Sequence, residues 1–192
     1  MEETTTIIGI AGAFGSGKST AADFLASKGY TRLVLSSFLE KEAQTRGLTP
    51  ITRKALQDIG NEWREAYGSD VLAKKALEYV ATHNLTKVII DGIRNTGEIE
   101  ALRKHKHFLL LGIITDRNNR FERLQETKRR EELNLELFNK LDYRDLGIGE
   151  KETGLQVAYC VALADRFILN NSTKEVFMEQ LTIFLKKSET TV

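Results

Sequence analysis

The sequence is short of several things, and each shortage excludes a class of protein. It has one cysteine, Cys160, so no intramolecular disulfide is available to it. Its one proline, Pro50, leaves no Pro-rich linker or stalk. No apolar run approaches the ~20 residues that span a bilayer. The longest, Phe108 to Thr115, has the length of a buried strand. Charge of one sign is not in excess: Lys plus Arg is 28 and Asp plus Glu is 27, a formal net charge of +1. Bulk electrostatics therefore gives no reason to expect DNA, RNA or an anionic membrane as partner. Aromatics are 8% and are not interleaved with basic residues as a single-strand stacking platform would need. What is present is ordinary for a folded domain: 192 residues, 41% hydrophobic and 29% charged. A chain of that length buries roughly 70% of its unfolded surface without staples. The lone cysteine and the absence of a leader-like opening segment predict a reducing, cytoplasmic setting. No internal repeat or composition shift divides the chain, so residues 1–192 read as one domain.

Short apolar runs alternate with longer segments of helical spacing. Thr6–Ala11, Arg32–Leu35, Lys87–Ile90, Phe108–Ile114 and Arg166–Leu169 read as strands. They are continuously apolar rather than alternating, the pattern of strands covered on both faces. Ser19 to Lys28 reads as a helix stopped by Gly29. Asn95 to Glu98 has the spacing of a capping box, as does Ser172 to Glu175. The latter opens a last helix with Phe177, Leu181, Phe184 and Leu185 on one stripe. This order predicts an α/β domain with a parallel sheet and right-handed crossovers. Two stretches interrupt it. Residues 38–84 are almost wholly helical, over Phe38–Arg46, Ile51–Tyr67 and Val71–His83, and residues 128–152 are densely charged. Both are expected above the carboxyl edge of the sheet, where such folds bind ligands.

Gly12-Ala13-Phe14-Gly15-Ser16-Gly17-Lys18-Ser19 fits G-x-x-x-x-G-K-[ST], directly after an apolar strand and before a helix. Glycines let successive N–H groups curl around a polyphosphate, and the helix that follows turns its positive end toward the anion. Lys18 then sets a point charge against the β- and γ-phosphates, and the Ser19 hydroxyl can coordinate Mg²⁺. The competing reading is a Gly-rich turn that binds nothing; the strand, the helix, the Lys and the Ser all stand against it. Asp91 closes the third apolar run, where a carboxylate can hold a Mg²⁺-bound water or take a proton from an incoming hydroxyl. The alternative for Asp91 is a turn or helix-cap aspartate.

Arg117, Arg120 and Arg123, followed by Lys128-Arg129-Arg130, form a cationic run that can close over a transferring phosphoryl group as a lid. Glu122, Glu126, Glu131 and Glu132 are close enough in sequence to make the same run a solvated, self-paired helix. Arg53, Arg64 and Arg94 would suit an anionic acceptor such as a nucleoside monophosphate, with surface charge as the alternative. His83, His105 and His107 lack partners at metal-ligand spacing. Cys160, set among Val157, Ala158, Val161 and Ala162, reads as a core thiol.

These residues resemble the P-loop kinases of the nucleoside monophosphate kinase superfamily, in particular the dephospho-CoA kinase-like and deoxynucleoside monophosphate kinase-like branch. The resemblance is carried by GAFGSGKST (Gly12–Thr20), RKALQDIGNEWREAYG (Arg53–Gly68), DGIRNTGEIEAL (Asp91–Leu102), LDYRDLGIGE (Leu141–Glu150) and ALADRFILNNST (Ala162–Thr173), nearly the whole chain. It implies a three-layer P-loop fold with a five-stranded parallel sheet in order 2-3-1-4-5, a helical acceptor-binding insertion and an arginine lid. It implies ATP held by Gly12 to Thr20, Mg²⁺ held by Ser19 and Asp91, and Arg123, Asn170 and Asn171 near the donor base. Arg94 would contact the acceptor phosphate, with Ser37, Arg53 and Arg64 beside it, and Lys18, Asp91, Arg123 and Arg130 would serve transfer. Two departures stand out. Adenylate kinases carry Asp-Gly-x-Pro-Arg, whereas Arg94 follows Asp91 one residue sooner, which argues against adenylate as acceptor. Related sequences often end strand two in Ser-Asp, and here the pair is Ser36-Ser37. The expected activity is ATP-dependent phosphoryl transfer to a small nucleotide or nucleotide-like acceptor, with no nucleic acid or membrane partner. A dephospho-CoA-type hydroxyl, or a nucleotide-binding switch, is the alternative.

Overall fold

The computed structural model describes residues 5–127 and 132–191. Five strands, β1 (Thr6–Gly12), β2 (Thr31–Val34), β3 (Lys87–Asp91), β4 (Phe108–Ile114) and β5 (Arg166–Leu169), form one sheet in the order β2-β3-β1-β4-β5, every pair parallel. This is the expected strand order. The continuous apolar runs are explained by cover on both faces. Ile7 and Ala11 of β1, with Val88, Ile90 and Leu110, face one helical layer. Ile8 and Ile10, with Ile89, Leu111, Ile113 and Ile168, face the other.

The first layer is α2 (Leu35–Thr45), α3 (Arg53–Tyr67), α4 (Val71–Thr82), α5 (Thr96–Arg103) and α8 (Val157–Ala162). It buries Leu35, Leu39, Ile59, Leu72, Ala76, Val80, Ile99, Leu102 and Cys160, and burial pushes the Cys160 thiol well up from its ordinary pKa. The second layer is α1 (Lys18–Ala26) and α9 (Lys174–Thr191), with the expected stripe of Phe177, Leu181, Phe184 and Leu185 against Ala21, Ala22 and Leu25. Burying one such side chain is worth roughly 1.5–3 kcal/mol. A third, smaller cluster lies beside the sheet's carboxyl edge. There Leu133, Phe138 and Leu141, on and before α7 (Leu135–Leu146), meet Phe14 and the Phe121 and Leu124 of α6 (Arg117–Thr127).

Boundaries shift where local chemistry competes with pattern. Leu35, expected to end the second strand, instead begins α2, which therefore starts before Phe38 and takes Ser36 and Ser37 into its first turn. The Asn95–Glu98 capping box forms as expected. At α9 the cap falls on Thr173 rather than Ser172, so the helix opens at Lys174. No described helix is long and apolar enough to cross a membrane.

Candidate active site

The loop between β1 and α1 is built by two constraints. Gly17 has φ 100°, the left-handed region, and a Cβ there would collide with the Asn170 side-chain amide. It caps α1 with no side-chain acceptor, so the first N–H groups of that helix are left for something else to satisfy. No acidic residue sits in the first turn. Asn170, just past β5, donates from Nδ2 to the Ser16 carbonyl at 2.9 Å, and the Thr115 hydroxyl donates to the same oxygen at 3.0 Å. Asn170 thus braces the loop from behind and also lines the cleft beside it. Asn171 accepts from the Asp116 N–H and does not line that cleft. The Ser16 hydroxyl is buried with no hydrogen-bond partner among the described residues.

The loop opens on a cleft of about 1100 Å³ at the carboxyl edge of the sheet. Phe14 to Thr20, Ser37, Arg53, Asp91, Arg94, Arg123 and Asn170 all line it. Lys18 Nζ donates to the carbonyls of Gly12 and Ala13 at 2.6 and 2.9 Å, folded back on its own loop. Its pKa is lowered from 10.5 to about 8, chiefly by burial, with Asp145 opposing and Arg94 adding to the drop. Asp91 ends β3 as expected and is itself buried. Arg32 of β2, which shares its face, holds Asp91 through Oδ2 and also reaches Asp23 of α1.

Hydrogen bonding to Asp91 among the described residues leaves Oδ1 without a partner. One carboxylate oxygen and the Ser19 hydroxyl are the hard oxygen donors Mg²⁺ takes alongside phosphates and waters, so the donor set fits that ion.

Most of the arginines meet carboxylates rather than open space. Arg64 is buried and donates through Nε and Nη2 to Glu98 Oε1, at 3.1 and 2.9 Å. Glu98 Oε2 meanwhile accepts the Arg94 and Asn95 N–H groups, so this buried carboxylate is fully engaged. Arg120 pairs through both Nη atoms with buried Asp142 and donates to the Phe14 carbonyl at 3.0 Å. Arg53 and Arg94 converge on one oxygen of buried Asp145, and the Arg53 guanidinium lies 3.5 Å from the Phe14 ring centroid. Burial pushes the Asp145 carboxyl up, but Arg94, Arg53, Lys18 and Arg120 more than offset it and hold it below the usual range. Its second oxygen is buried without a partner among the described residues. Arg123 lines the cleft, and its Nη1 is likewise buried without a partner among the described residues. Arg130 lies outside the described residues.

Reading the sequence for cations missed their anions. Asp142 and Asp145 are three apart, one face of α7, a spacing that announces a shared inward direction. Arg32 has the same strand parity as the acid it clamps. Glu40 also lines the cleft, three residues and nearly one turn beyond Ser37, and accepts from the Ser36 hydroxyl at 3.4 Å. Ser37 donates to the Val34 carbonyl at 2.7 Å.

A five-stranded parallel sheet in this order, with an uncapped helix start behind a glycine loop, defines the P-loop kinase fold. Solved structures of the same architecture include TT1252 from Thermus thermophilus, with TM-score 0.61 and 18% identity over 95% of this chain and 97% of that one. A shikimate kinase from Acinetobacter baumannii gives 0.58 and 18% over 96% of each. The AAA domain family matches residues 8–142, and the chain belongs to it. Among its relatives, a UPF0200 protein of Methanocaldococcus jannaschii is 30% identical over 94% of this chain and 89% of its own length. Another, from Methanothrix thermoacetophila, is 31% identical over 94% and 97%.

Proposed function

We propose that this chain is an ATP-dependent, Mg²⁺-requiring phosphotransferase whose acceptor is a small nucleotide or nucleotide-like molecule. The observation that carries this reading is the uncapped start of α1 behind the Gly12–Ser19 loop, opening on a cleft that also holds Asp91, Arg53, Arg94 and Arg123. The loop N–H groups and Lys18 bind and orient a triphosphate, and the buried Ser16 hydroxyl adds a further donor. Lys18 must leave the carbonyls of Gly12 and Ala13 to do so, an exchange of neutral acceptors for an anion. Ser19 and Asp91 would hold Mg²⁺, which supplies charge neutralisation across the phosphates when bound. Arg123 offers Nη1 to the charge that develops on transfer. Arg94 and Arg53, aimed by Asp145, take the acceptor's anionic end. The resemblance to the nucleoside monophosphate kinase branch supports the acceptor class, and the kinases among the structural neighbours, shikimate kinases included, support phosphotransfer to a small molecule.

The test is one incubation with ATP and Mg²⁺ and pooled nucleoside monophosphates, deoxynucleotides and dephospho-CoA, read by mass for a gain of one phosphoryl group. A phosphorylated monophosphate is the expected result, and phosphorylated dephospho-CoA alone would move the acceptor to that hydroxyl. A second reading, a nucleotide-dependent switch, rests on the Arg32–Asp91 pair, which neutralises the carboxylate that lines the cleft at the end of β3. It expects tight nucleotide binding and no phosphorylated product from any acceptor.

A further inference from the structure

We infer that Gln57, through its side-chain carbonyl, reads a hydrogen-bond donor on the acceptor, and that this donor lies within a few atoms of the acceptor's anionic group. Calling the occupant an acceptor rests on the phosphotransfer reading above; the recognition itself rests on the following geometry.

Gln57 sits on the buried stripe of α3, with Leu56, Gly60 and Arg64, where an amphipathic helix would place apolar residues. It is 3% exposed. Its Nε2 faces the Leu141 carbonyl of α7 at a long 3.5 Å, which fixes the amide's orientation, because only the amino group can face a carbonyl. Its Oε1 is then buried with no partner among the described residues. An unpaired buried carbonyl costs about 1–3 kcal/mol, so a ligand donor that reaches it recovers that cost as affinity.

The same side chain lines a chamber of about 50 Å³ with Arg53, Arg64, Arg94, Ser36 and Leu155 among its walls. Ser36, Arg53 and Arg94 also line the main cleft, so the chamber is a side pocket of it. Its size decides what can enter. An apolar cavity that takes benzene measures roughly 150 Å³. The chamber therefore admits a few heavy atoms and excludes a nucleobase ring. Arg64 is neutralised by Glu98, but Arg53 and Arg94 share a single carboxylate and so leave net positive charge on the walls, which selects an anion, and Gln57 selects a hydroxyl or amine close to that anion. The part of the acceptor held here is compact and polar, and any base or larger body stays in the main cleft.

Two probes separate the terms: 2-hydroxyethyl phosphate and ethyl phosphate, titrated calorimetrically against the full chain without ATP. The wild type is expected to bind the hydroxyl-bearing probe about tenfold more tightly. Gln57→Leu is expected to erase that preference while its melting temperature holds or rises, since it removes an unsatisfied carbonyl. A merely structural glutamine would instead lose stability and keep the preference. Gln57→Met, unbranched and of similar length, serves if the leucine variant does not fold. Equal binding of the two probes, no binding of either at tens of millimolar, or a preference that survives both substitutions overturns the inference. Because these arms need no turnover, they stand apart from the mass-shift screen. Product with equal probe affinities removes Gln57's role and keeps the kinase reading, and a tenfold preference with no product does the reverse.

Discussion

The two walls of the cleft are built on opposite electrostatic plans. On the β1–α1 side the groups that could hold an anion are left unspent: helix N–H groups without a side-chain cap, a buried Ser16 hydroxyl without a partner among the described residues, and a lysine resting on neutral carbonyls. On the side formed by α3, α6 and α7, cations are abundant but engaged. Arg64 holds Glu98, Arg120 holds Asp142, and Arg53 and Arg94 share Asp145. Arg144 ties Asp58 of α3 to Glu150 beyond α7. The difference teaches that a run of arginines beside a glycine-loop cleft is first a scaffold. The pairs on Glu98, Asp142 and Asp145 put the carboxylate out of water, and such pairs cost desolvation and return it only when every partner is present. Arg53–Asp145 and Arg144–Asp58 hold α7 against α3, while Arg53 and Arg94 also keep a place in the lining of the cleft.

Breaking the open wall should cost function and not stability. Lys18→Ala is expected to lower phosphoryl transfer by at least about a hundredfold, the scale seen when a positioned charge-stabilising donor is lost. Its unfolding midpoint in urea should match or exceed the wild type, since a buried charge has been removed. Normal turnover in this variant would refute the assignment of the loop. Breaking the engaged wall should do the reverse. Arg64→Ala strands Glu98 in the core and is expected to cost about 3–5 kcal/mol of stability by urea unfolding. Arg64→Met with Glu98→Gln, which keeps a capping side chain for α5, should recover most of that loss. If the single variant is as stable as the wild type, the scaffold account fails.

Arg123 sharpens the comparison, since it belongs to the cation-rich side by sequence and to the cleft by position. Arg123→Ala is expected to slow transfer by roughly tenfold while stability stays within about 0.5 kcal/mol. A loss of stability with unchanged kcat would return it to the scaffold. The smallest effect is on pH dependence. Lys18 releases its proton near pH 8 in the native chain and near 10.5 when unfolded. Between those values the unfolded chain carries the extra proton, so this group's contribution to stability rises with pH across the window. Nucleotide affinity moves the other way and weakens above about pH 8, by no more than tenfold per pH unit. In Lys18→Ala both slopes should vanish, as read by denaturant midpoints and by Kd across the same range.

The strands and the glycine loop were legible because their signals are local, whereas the strand order came with the resemblance to P-loop kinases. Ile7 to Ala11 followed by Gly12 to Ser19 is a contiguous statement of strand, turn and helix, and each glycine's role is fixed by its own backbone. The same holds for the Asn95–Glu98 capping box. The arginine-rich side of the cleft was legible only as composition. Whether Arg64 points at a ligand or at Glu98 depends on how α3 packs on α5, a contact 34 residues apart in sequence. The pairing of Arg53 with Asp145 spans 92. Periodicity held the clue that was passed over: Gln57 and Arg64 fall on the buried stripe of α3, where a polar side chain must find a partner. Leu35 was misplaced because a β-run and a buried first helical turn look alike over four residues.

Isothermal titration of the full chain with ATP and Mg²⁺ near pH 8, repeated in two buffers of different ionisation enthalpy, tests the open wall most directly. The expected result is saturable binding with net proton uptake, because a phosphate beside Lys18 restores the charge that burial weakens, and the loss of that uptake in Lys18→Ala. No saturable heat at millimolar nucleotide, or binding in Lys18→Ala that matches the wild type in affinity and proton uptake, would contradict the account.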